Sequence, residues 1–119
     1  MMCVLVTGGR AYANRKKVFD TLDELRPDIL IEGGAAGADA LARAWATDHG
    51  AQSVMVPANW NKLGRAAGPA RNVMMVAMLK AFEKAGWKCA AVAFPGGRGT
   101  AHCTMNAQEN GFDVQVVKE

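Results

Sequence analysis

The residue types that hold anions gather in four stretches: VTGGR at 6–10, GGAAGAD at 33–39, WNKLGRAAGPARN at 60–72 and AFPGGRGTA at 93–101. The last is the densest in glycine, and Gly96, Gly97 and Gly99 each carry an entropic cost on folding that a loop residue with a side chain would not. Glycines that follow a strand let consecutive N–H groups turn towards an anion, and the helix behind them adds its positive N-terminal end. Thr100 can cap that helix or donate its hydroxyl to a phosphate oxygen, and Arg98 adds a forked, permanently charged donor. A tight strand-to-helix turn carrying a surface arginine would account for this loop alone. The other stretches tip the reading towards a phosphate site, with Pro95, Gly96, Gly97, Arg98, Gly99 and Thr100 as its first wall.

Thr7, Gly8, Gly9 and Arg10 end an apolar run and form the second wall. Gly33, Gly34 and Gly37 precede a helix in a pattern similar to a dinucleotide fingerprint, but with the wrong spacing and after the second strand. Asp39 falls in the first turn of that helix, where a carboxylate either complements the helix dipole or bonds a ribose hydroxyl. Arg71 and Asn72 open the third long helix, where a guanidinium and an amide can reach a phosphate or a base. Trp60 either stacks on a base or pins its own loop. His102 stands alone, without a serine or cysteine and an acid in a nucleophilic arrangement, so no catalytic residue is assigned. His49 reads as a helix C-terminal residue. No metal-ligand spacing and no cofactor motif occurs.

These residues need elements to hold them. Cys3–Val6, Ile29–Ile31, Ser53–Val56, Cys89–Phe94 and Val114–Val117 are near-continuous apolar runs, as expected for strands of a parallel sheet covered on both faces. Between them Val18, Leu22 and Leu25, Leu41 and Trp45, and Met75, Met78, Leu79 and Phe82 keep helical spacing. Asn14 suits the N-cap of the first helix, Pro69 the first turn of the third, and Gly50, Gly86 and Gly111 left-handed caps at helix ends. The methionines Met74, Met75 and Met78 read as core filling. If the second and fourth strands flank the first, Gly8-Gly9 and Gly96-Gly97 face each other across the reversal of strand order, where open α/β sheets bind ligands.

The 119 residues suit one domain spanning 1–119, and half of them are hydrophobic with 21% charged, which excludes a disordered chain. No run approaches a membrane span and no signal core opens the chain, so a cytoplasmic location is expected. The three cysteines form no CxxC pair, and Cys3 and Cys89, inside strand-like runs, read as buried reduced thiols. A net charge of +3 with scattered basic residues argues against nucleic acid as the partner.

The ordered series VTGGR, GGAAGAD, W-x-x-x-G-R-x-A-G-P-x-R-N and AFPGGRGTA resembles the YspA-like branch of the SLOG superfamily, which unites the Rossmann-like domains of Smf/DprA and of the lonely-guy proteins. The resemblance implies an α/β, Rossmann-like three-layer sandwich. Its sheet would be five-stranded and mostly parallel, in order 3-2-1-4-5, with about four helices. It implies a small-molecule nucleotide or nucleotide derivative as ligand and, with an apolar third helix, a possible homodimer. Lonely-guy enzymes cleave the N-glycosidic bond of nucleoside monophosphates and carry PGGxGTxxE. Pro95, Gly96, Gly97, Gly99 and Thr100 match that motif, whereas Cys103 occupies the glutamate position. A thiol is mostly protonated at neutral pH and neither stabilises an oxocarbenium-like charge nor activates water well. Phosphate binding, as sensor, scavenger or regulator, is therefore the leading reading. N-glycosidic hydrolysis, with another acid such as Asp39, is the alternative.

Overall fold

The computed structural model describes residues 1–119. Strands β1 (Met2–Thr7), β2 (Ile29–Glu32), β3 (Gln52–Met55), β4 (Lys88–Ala93) and β5 (Val114–Val116) alternate with helices α1 (Arg15–Leu25), α2 (Ala38–His49), α3 (Trp60–Leu63), α4 (Ala67–Lys84) and α5 (Arg98–Glu109). The sheet order is β3-β2-β1-β4-β5, and every pairing is parallel rather than mostly so. The chain is a Rossmann-like α/β three-layer fold.

The apolar strands are covered on both faces, which is what a parallel sheet requires. In β1, Val4 and Val6 point to a core shared with Val18 and Leu22 of α1 and Ala42 and Trp45 of α2. Cys3 and Leu5 point the other way, to Met75, Val76 and Leu79 of α4 and Cys103 and Ala107 of α5. The side-chain alternation of one central strand thus joins the two cores.

Local signals hold where their chemistry is short-ranged. Asn14 caps α1 by accepting from the Lys17 amide at 3.0 Å. Gly50, Gly86 and Gly111 all take positive φ beyond helix ends. The sequence reads 57–69 as one long connection, but only 57–59 lack a regular element: α3, a 3-10 turn over Gly64–Ala66 and the start of α4 take up the rest. The methionine group also divides. Met75 is buried, but Met74 is 57% exposed, because a residue one position along a helix lies about 100° round its axis. Cys3 is buried and Cys89 only partly so.

β1 sends its chain through α1 to β2 on one side, while β4 lies on its other side. The turns after β1 and β4 therefore meet at the reversal.

Candidate functional site

The meeting of those turns is tight. The Gly9 amide donates to Pro95 O and the Phe94 amide to Thr7 O, each at 2.9 Å. A Cβ on Gly9 would stand 2.9 Å from Pro95 O, and one on Gly8 would stand 2.5 Å from Ala38 Cβ. Glycine is needed at both positions for backbone to approach backbone. The result is a cleft of about 680 Å³ at the C-terminal edge of the sheet. Among the expected site residues, 7–10, 39, 71–72, 95–97 and 99–100 line it, together with Ala11, Tyr12, Ala35 and Met75. Gly33, Gly34, Gly37 and Arg98 do not line it.

The glycine-rich turns after β2 and β4 differ in how they use their amides. After β2, the Gly33 and Ala35 amides donate to Asp39 Oδ2 at 3.0 and 3.2 Å, and the Gly34 amide donates to Glu32 Oε1 at 2.6 Å. Glu32 is wholly buried and pairs with Arg43 Nη1 at 3.1 and 3.2 Å. This turn is an anion nest already filled by the chain's own carboxylates. Gly37, at φ +73, belongs to the same architecture: a side chain there would overlap Gly9 O, and the neighbouring Ala38 amide donates to that oxygen at 3.2 Å.

After β4 the amides are unspent. None of those from residues 96–100 donates a hydrogen bond within the chain, and α5 begins there with Gly97 as a cap that offers no side chain. Gly96 is required sterically, since a Cβ would overlap the Thr100 hydroxyl. Gly97 and Gly99 are not: a Cβ on either meets nothing within 4 Å, and Gly97 sits at φ −99. The folded chain alone gives no reason for glycine at these two positions.

Charge is placed around this loop by α4 and α2. Arg71 donates from Nη1 to Gly33 O at 2.6 Å and from Nε to Asn72 Oδ1 at 3.1 Å. Asn72, buried, donates from Nδ2 to Gly99 O and to His102 Nδ1, each at 3.2 Å. Asn72 thereby clamps the start of α4 to the β4–α5 loop. Burial pushes the Asp39 carboxyl up to about 6, against the pull of the Ala35 amide and Arg71. Cys103 is fully buried beneath the cleft, and burial pushes its thiol up to about 11. It is neutral at physiological pH. Arg98 opens α5 as an exposed residue, and Arg10 is exposed at the rim with its guanidinium 5.8 Å from the Trp60 ring centroid.

Sequence reasoning missed Glu32, Arg43 and Tyr12. Tyr12 lines the cleft and stacks on Phe94 with centroids 5.5 Å apart. No three His, Cys, Asp or Glu side chains stand close enough together to hold a metal ion, and no helix is long and apolar enough to cross a membrane.

Residues 2–63, more than half of the chain, match the YAcAr family, described as YspA, cpYpsA-related SLOG. The chain belongs to the YAcAr family. A relative of this YAcAr chain is the Gene 61 protein of Mycobacterium phage D29, 37% identical over 126 aligned positions that cover 96% of this chain and 94% of that protein. Among solved structures, the structural-genomics target TM1055 superposes with a TM-score of 0.69 at 17% identity, covering 96% of this chain and 72% of that one. DNA processing protein A (DprA) from Streptococcus pneumoniae gives 0.53 at 18% identity, and this chain spans 58% of its length. These two likenesses are of fold.

Proposed function

We propose that this YAcAr protein binds a nucleotide, or a nucleotide-derived phosphate compound, in the cleft between the β1 and β4 turns, as a sensor, scavenger or regulator. The observation that carries the proposal is the run of unpaired amides at 96–100, at the N-terminus of a 12-residue helix on the wall of the cleft. Helix dipole and free N–H groups together favour an anion there. Gly97 and Gly99 leave that backbone bare for a phosphate to approach. Arg71 and Arg10 supply the neutralising charge from the opposite walls, and Arg98 adds charge from the exposed start of α5. The β2–α2 turn, with its amides already taken, shapes the pocket rather than holding the phosphate.

Isothermal titration with adenosine monophosphate and adenosine tests this. The monophosphate is expected to bind at least tenfold more tightly than the nucleoside, with Arg71→Ala erasing that advantage and Arg98→Ala reducing it by less. Equal binding of the two ligands, or none, refutes the site.

One observation favours hydrolysis as a second reading. Asp39 is the only carboxylate on the cleft wall, and its value of about 6 lies in the range where a carboxyl can pass a proton near neutrality. Under this reading Asp39, not Cys103, handles the proton when an N-glycosidic bond breaks. Chromatographic detection of free base from a nucleoside monophosphate, lost in Asp39→Asn, supports it. No base released at high protein concentration removes it.

A further inference from the structure

A second, smaller cavity of about 210 Å³ adjoins the cleft, and Arg10, Ala35 and Arg71 border both. Its remaining walls are the Gly33–Ala36 turn on one side and Pro57, Ala58 and Trp60 on the other. We propose that this cavity is a base subsite, in which the planar base of a nucleotide stacks on Trp60 while its phosphate lies on the 96–100 loop. The inference rests on the phosphate reading of the larger cleft.

Trp60 is held in place yet left uncovered. It opens α3, whose first turn is capped by Asn59 Oδ1 accepting from the Lys62 amide at 3.1 Å. The edge of its ring lies against Gly68, where a Cβ would come within 3.3 Å of Cη2. A side chain at 68 would press on that edge. Even so, Trp60 remains 49% exposed, an ordered aromatic surface that the fold itself does not cover. Such a face suits stacking, which is sequence-tolerant because every base has a π-face.

Arg10 completes the geometry. Its guanidinium stands 5.8 Å from the Trp60 centroid and makes no ion pair with a carboxylate. A base sandwiched between guanidinium and indole needs two contact distances, roughly 7 Å, so Arg10, an exposed side chain, has to move outward by about 1 Å. The cavity has under a third of the cleft's volume, so the base is the part of a nucleotide assigned to it. The ribose then bridges the two cavities beside Ala35. No acidic or amide side chain lines the smaller cavity, so a base is read by its face and by acceptor atoms turned to the guanidinium groups. Discrimination between bases should be weak.

Equilibrium titration of the full chain, Trp60→Ala and Trp60→Phe with adenosine monophosphate, guanosine monophosphate and ribose 5-phosphate tests the proposal. The two nucleotides should bind within about threefold of each other and roughly tenfold or more above ribose 5-phosphate, since stacking typically changes affinity by about 5- to 150-fold. Trp60→Ala should bring both nucleotides down to the ribose 5-phosphate level while ribose 5-phosphate itself is unaffected, and Trp60→Phe should keep most of the difference. Nucleotide binding unchanged in Trp60→Ala, or ribose 5-phosphate binding as tightly as the nucleotides, overturns the base subsite and leaves the phosphate site standing. Failure of all three compounds to bind overturns both.

Discussion

Replacing Asp39 by asparagine should make the protein more stable at neutral and alkaline pH. Burial raises the Asp39 carboxyl from 3.8 to about 6, with Glu32 adding to the rise and the Ala35 amide and Arg71 opposing it. A value higher in the folded state means that the folded chain holds the proton more tightly than the unfolded one. The stability from this group is therefore fully present below about pH 4 and is lost as the pH rises through about 6. A shift of roughly two units at about 1.36 kcal/mol each makes the ionised carboxylate cost about 3 kcal/mol at pH 8. Asparagine keeps the local geometry, because both backbone amides donate to one oxygen, Oδ2, and one carboxamide oxygen can accept both. Urea denaturation of the wild type and Asp39→Asn at intervals from pH 4 to pH 8 is the assay. The expected result is a gap that opens with pH, reaching up to about 3 kcal/mol in favour of the variant at pH 8 and closing near pH 4. A gap that is constant with pH, or a variant less stable throughout, refutes the argument that burial dominates this group.

Gly97→Ala should leave stability within about 0.5 kcal/mol of wild type and yet lower nucleotide affinity by about tenfold, whereas Gly37→Ala, at positive φ against Gly9 O, should cost more than about 2 kcal/mol. Thermal melts and titration compare them. Arg43→Met should destabilise by about 2–3 kcal/mol by stranding the buried Glu32 carboxylate, and adding Glu32→Gln should recover much of that in the same denaturation assay. Cys103, buried and with its thiol raised to about 11, should resist iodoacetamide at pH 8 in the folded protein and react once it is unfolded in urea, as read by mass spectrometry.

What the sequence discloses follows the range of the interactions involved. Parallel strands declare themselves through runs such as CVLV and ILI, because burial on both faces leaves no polar alternation, and Asn14 and Gly50 act on backbone within one helical turn. The cleft was legible for a similar reason: glycines placed after strands one, two and four converge once the sheet is parallel. The division of labour among those glycines was not. Gly33, Gly34 and Gly97 look alike in a sequence, but the first two donate their own amides to Asp39 and Glu32 while Gly97 faces open space. Glu32 itself ends a strand as many solvent-facing acids do, and its partners Arg43 and Ser53 lie 11 and 21 residues away. Tyr12 sits in a short polar-looking link, and only the fold brings Phe94 beneath its ring. Arg71 lines the cleft, and its bond to Gly33 O spans 38 residues and has no local signal.

The central claim is that two glycine-rich turns on one edge have opposite roles: one filled by its own carboxylates, the other open to a phosphate. Two-dimensional ¹H–¹⁵N spectra recorded while adding a nucleoside monophosphate test this directly. The account predicts that the amide resonances of Gly96, Gly97, Arg98, Gly99 and Thr100 move most, and that those of Gly33, Gly34 and Ala35 move little. Large shifts at 33–35 with 96–100 unmoved would contradict it.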